Sequence, residues 1–594
     1  MLALAFLLLT SLPQGPVVSQ PAAPAVRNDP WPSVVDVDGD GTAEIRSLRQ
    51  LARRGEPQAP TVAVLVEARL LQTRAGGDLH AVTALRSGLD RLLADMAASG
   101  RCAELLEVEC YSGERHQDGR IVLGLRRALQ RRAASGPLEG AILVGHFPDA
   151  LLLRTCNWRR DDAVELTPPN GEKRGFAPYL RAVPENVAWK CDLVLADLDG
   201  DWESRYFEAE TALPSTLAAF AGAVPASGGK ALAWREDSIV YRDAFHVADG
   251  RVHVDAATGA VVIDDASRDA ECTARDREAS NPVAQPEIAV SRIDARGAAW
   301  SPRARFLDSE GRPRTVAFGD GEPMPAWHEV FAPDPALEMR LLIEYFNRNH
   351  AFRTQAPLAE ADRPASAAWE LGSGMAACRE AKPGWRDFAE AGYDLHRRAD
   401  LSALTAWWRL PATLRTLRAH SDPFAAVFAR TDAERLDRHF EVAWAFTPRE
   451  RELVPSLAAA CAGGRADFFY YRTLWANDAT ASQPYLMVHT GCEAIAPHGA
   501  TTLRYDDPRY GMRQHAESIL FYTPCVALIG RAKVFYDEPR EFSATLAAGG
   551  TIGAAWRRYF AVEAASTWEV AGGDIGRKRA YFWSLLGDFT LRLP

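Results

Sequence analysis

Long apolar runs are scarce in this 594-residue sequence. The longest, Leu2 to Leu9, falls well short of the roughly 20 residues a helix needs to cross a bilayer, so no transmembrane anchor is expected. Lysine is nearly missing: six positions (173, 190, 230, 382, 533 and 578) stand against 62 arginines. That skew reflects genome composition more simply than a binding surface. Positive charge is not in excess either, because 68 Lys+Arg against 78 Asp+Glu give a formal net charge of −10. Nucleic acid is therefore excluded as the main partner. The nine cysteines are scattered with no CxxC pair, which argues against a zinc site built on cysteine hairpins. HExxH, GxSxG and GxxxxGK[ST] are absent, so zincin, α/β-hydrolase and Walker-type NTPase chemistry lack their minimal residues.

What is present suits a globular chain, 47% hydrophobic and 25% charged. Leu2–Leu9 has the length of a signal-peptide core, and Ala23-Pro24-Ala25 offers a small-x-small cleavage site, although no basic residue leads it. Residues 1–25 are thus predicted to be a signal peptide, and the protein to be secreted, periplasmic or at the cell surface. In an oxidising compartment an odd cysteine count leaves at least one thiol without a disulfide.

Hydrophobic patterning predicts an α/β fold with two sheet-containing halves, parallel or mixed sheets flanked by helices. TVAVLVEARLL from Thr61 reads as a strand, Asp78–Ala98 as a helix and Ala103–Tyr111 as a strand. Ile121–Ala134 then reads as a helix and Glu139–Phe147 as a strand. Residues 26–60 read as an N-terminal linker with an Asp-rich loop, and 61–300 as an α/β subdomain with a loop-rich insertion. Residues 301–335 read as a second linker and 336–594 as a second α/β subdomain. In the latter, Ala336–Arg353 and Ala516–Tyr522 read as helices, and Ala466–Arg472, Pro484–Cys492 and Cys525–Arg531 as strands.

Two acidic runs have metal-loop character. Asp36, Asp38, Asp40 and Glu44 occupy positions 1, 3, 5 and 9 around Gly41 at position 6, the first-half spacing of a calcium loop; position 12 is Ser47 rather than Glu. Asp197, Asp199 and Asp201 stack carboxylates at alternate positions after CDLVLAD, which reads as a strand. A structural Ca2+ is the expectation at the first; the second is equally compatible with a solvated turn. Ligand sites in open α/β sheets lie at the carboxyl ends of strands. Gly145-His146 and the loop after Asp197 are candidates by that position alone.

Cys492 is the strongest nucleophile candidate. It follows the apolar run YLMV through His489-Thr490-Gly491, and Gly491 allows the turn that would project the sulfur into a cleft lined by backbone N–H groups. A buried structural cysteine is the competing reading. The order of AILVGHFPDALL, DLVLADLDGDW, PEIAVSRIDAR, LLIEYFNRNHAFR, HTGCEA and SLLGDFTLRL resembles the gingipain-like cysteine peptidases. The resemblance implies a caspase-like catalytic fold, protein or peptide substrates, no cofactor for catalysis, and a thiol at Gly491-Cys492. A His-Gly pair is implied just after ADFFYY, where Arg472–Asp478 contains no histidine. His489 is the first choice of substitute, with His498 and His515 the others. The alternative is a catalytically inactive relative that acts as a calcium-dependent binding or cell-surface protein.

Overall fold

The computed structural model describes residues 30–72, 78–112, 118–156, 185–200, 202–203, 244–248, 251–254, 261–264, 285–302, 331–355, 364–369, 394–398, 408–409, 411–418, 475, 480–489, 494–495, 515–532, 540–564 and 583–594. Strand β1 (Ile45–Arg54) is followed by β2 (Thr61–Glu67), the single turn α1 (Ala68–Leu71), α2 (Leu79–Ala98), β3 (Cys102–Cys110), α3 (Asp118–Ala134) and β4 (Leu138–Val144). After a short helix α4 (Leu193–Ala196) come β5 (Ala289–Ile293), the long α5 (Pro335–Thr354), β6 (Pro364–Trp369), β7 (Asp394–Arg398), β8 (Leu414–Arg418) and β9 (Tyr485–His489). The chain closes with α6 (His515–Tyr522), β10 (Cys525–Arg531), α7 (Arg540–Ala547), α8 (Ile552–Tyr559) and β11 (Trp583–Gly587).

These strands form one mixed sheet of 11 strands, in the order β1-β3-β2-β4-β5-β11-β10-β9-β8-β6-β7. Strands β2 to β5 pair in parallel in the first half, and β6 to β10 in the second. The C-terminal strand β11 lies between the halves, antiparallel to β10 and bonded to β5 through Ser291 and Arg292. A single sheet therefore runs through both expected subdomains. Ile45–Arg54, which falls in the stretch read as an N-terminal linker, is an edge strand antiparallel to β3. Its charges suit that place, because they discourage another chain from adding to the edge. Cys191–Asp197, read as a strand, instead contains the helical turn α4, all four of whose side chains are buried. Four apolar residues in a row satisfy either conformation.

Successive residues of β1 show how the layers are arranged. Arg54 bonds to Asp90 on α2, whereas Arg53 lies by Glu104, which also receives Arg132 of α3. Neighbouring strand residues point to opposite faces, so α2 and α3 cover opposite sides, as right-handed crossovers from β2 to β3 and from β3 to β4 require. Val62–Val66 in β2 and Ala141–Val144 in β4 are fully buried. Parallel strands covered on both faces need such unbroken apolar runs. Helix α5 begins at Asp334, whose carboxylate accepts from the N–H groups of Ala336 and Leu337, with Pro335 in the first turn. Its Phe346 packs on Gly88 of α2, where a Cβ would come within 3.1 Å.

Candidate functional site

Strand β9 is buried along its length and ends at His489, which is 0% exposed. The chain beyond is re-anchored at two points. Ile495 N–H donates to the Arg531 carbonyl at the end of β10, and Ala516 N–H in the first turn of α6 donates to the Ala494 carbonyl. Gly491 and Cys492, between the end of β9 and these anchors in sequence, lie outside the described residues, as do His498 and the 472–474 stretch. Nearby cations rest on aromatic rings: the Arg531 guanidinium is 4.7 Å from the Trp583 ring centre, and that of Arg415 is 4.8 Å from Tyr485. Burial lowers Arg415 to about 10.

The Asp-rich loop brings Asp36, Asp38 and Asp40 together, with one carboxylate oxygen of each within 4.8 Å of the others. Asp36 accepts from the N–H groups of Gly39 and Gly41, and Asp40 from Thr42 N–H. Arg120 of α3 reaches Asp38, and Arg127 holds the carbonyls of Asp36 and Val37. Glu44 does not join this trio. It is buried and turns inward to accept Val37 N–H at 2.7 Å. An all-oxygen donor set of this density suits a hard cation.

In the second acidic run, Asp197 and Asp199 meet Glu287, a partner 88 residues beyond Asp199, while Asp201 lies outside the described residues. Burial pushes Asp197 up to about 7, against the hydrogen bond from Trp202 Nε1 at 2.8 Å; Glu287 and Asp199 add to the rise. The loop is shaped from beneath by fully buried Arg126. Its guanidinium donates to the carbonyls of Val194, Asp197, Leu198 and Gly200 and meets the Glu203 carboxylate. Carbonyls left over at the end of α4 thus find a donor in α3.

A third constellation, mostly invisible in sequence, occupies the carboxyl ends of β2, β4 and β5. Gly145 turns the chain after β4 with φ +92, and His146 N–H donates to Glu67 at 2.9 Å. His146 Nδ1 lies 3.2 Å from the Asp294 carboxylate just past β5. Arg69 bonds to both Glu67 and Glu338; these contacts outweigh its burial and hold it charged. Lys190 meets Asp149 at 3.0 Å, and Arg292 meets Asp192 at 2.9 Å. Into this group comes Glu517 of α6, 5% exposed, its buried Oε2 without a hydrogen-bond partner among the described residues. Burial raises it to about 8, opposed by Lys190 and reinforced by Asp149 and Asp294. The strand-end rule that singled out His146 applies equally to Asp294; no local signal marks Glu517.

Comparison with protein-family models, curated proteins and solved structures finds no match to this chain. Among the described residues no helix is long and apolar enough to cross a membrane.

Proposed function

We propose that this protein is an exported cysteine endopeptidase of gingipain-like type, with the Cys492 thiolate attacking a peptide carbonyl. The observation that carries this reading is the corner after β9. A buried strand delivers His489 three residues before the thiol, and the chain returns at Ala494 to the first turn of α6. A helix N-terminus lowers the pKa of a nearby thiol, and backbone N–H groups at such a turn stabilise an oxyanion. Gly491, with no Cβ, is the residue there best able to allow a turn. Proton transfer from Cys492 to an imidazole, His489 being the nearest in sequence, gives the nucleophile; the resulting imidazolium protonates the departing amine, and water then releases the acyl group. Catalysis needs no cofactor. A Ca2+ held by Asp36, Asp38 and Asp40 would have a structural role, pinning the segment ahead of β1 to α3.

The test is the alkylation rate of Cys492 by iodoacetamide across pH 5–9, located by peptide mass spectrometry, with protein-substrate cleavage by wild type and Cys492→Ala alongside. Support is rapid labelling near pH 6 and cleavage lost in the variant. Labelling that rises only above about pH 8.5, the range of an ordinary thiol, defeats the reading.

The full burial of His489 and the exposed Asp36–Asp40 loop favour a second reading, a non-catalytic binding protein whose partner capture depends on Ca2+. It requires chelation to weaken binding and Cys492→Ala to leave it unchanged.

A further inference from the structure

We draw no further inference here: the strongest candidate, the charged side-chain cluster of Glu67, Arg69, His146, Asp294 and Glu338 at the carboxyl ends of β2, β4 and β5, is held together by bonds among its own members, and nothing among the described residues shows what ligand or reacting group it would serve.

Discussion

In the first half of the sheet, Arg132 lies against both oxygens of Glu104, Arg69 bridges Glu67 and Glu338, and Lys190 meets Asp149. In the second half, Arg415 sits over Trp408 and Tyr485, Arg531 over Trp583, and Arg348 near Tyr345 with its guanidinium on the Leu520 carbonyl. Among the described residues these first-half cations meet carboxylates and these second-half arginines contact rings or a carbonyl, although Arg353 of α5 pairs with Asp588 and Arg126 of α3 lies mostly on carbonyls. The two solutions respond differently to loss of a partner. A buried ion pair, once broken, leaves an uncompensated charge, whereas a ring-seated guanidinium already bears most of its desolvation cost and loses little more. Consistent with this, Arg69 is held charged by its carboxylates, while burial lowers Arg348 and Arg415.

Glu104 gives the largest expected effect. It is fully buried in β3 and accepts from Trp31 Nε1 at 2.8 Å and from Arg132 at 2.9 Å, with Arg53 at 3.7 Å. Glu104→Gln should cost about 3–5 kcal/mol in urea unfolding, because Arg132 is then left charged in the interior. A loss below about 1 kcal/mol would mean the first half tolerates an unbalanced cation, and the contrast between the halves would fail.

Much of this framework was legible in the sequence, and its limits have physical causes. Asp78–Ala98, Ala336–Arg353, Ala516–Tyr522 and Cys525–Arg531 fall within one residue of α2, α5, α6 and β10, because an apolar face at helical or strand period reports directly on what is buried. β1 escaped notice since an edge strand half covered by charged side chains has no such signature. The site was less legible. Asp36, Asp38 and Asp40 cluster because they are local, but Glu44, at ligand spacing, turns into the core. His146 and Asp294 are joined by sheet register over 148 residues, and Asp199 and Glu287 by the loop after α4 bonding to the chain ahead of β5 over 88, and spacing carries no trace of either.

Glu517 is where the two halves meet, a second-half carboxyl placed among first-half charges. Its folded pKa of about 8 lies above the ordinary 4.5, so between those values the folded state binds more protons than the unfolded. The stability it contributes is complete below about pH 4.5 and lost as pH rises through 8. Glu517→Gln should flatten that slope and stabilise the protein at pH 8 by up to a few kcal/mol, at about 1.4 kcal/mol per pKa unit. Thermal melts from pH 5 to 8.5 read this directly. A slope equal to that of wild type would show that Lys190 already neutralises the carboxylate, making this corner another ion pair of first-half kind.

Arg348→Met should have the smallest effect and defines the contrast most sharply. The substitution removes one bond to the Leu520 carbonyl, a ring contact at 5.9 Å from the Tyr345 centre, and a charge that burial already disfavours. The first two contribute about 1 kcal/mol each, and relief of desolvation offsets them. Methionine also follows the same path between α5 and α6 without a charged end. Urea unfolding should therefore show a change within about 1 kcal/mol in either direction. A loss of 3 kcal/mol or more, matching Glu104→Gln, would show that the charge is balanced by an ion pair after all and that rings are incidental to how the second half carries its arginines.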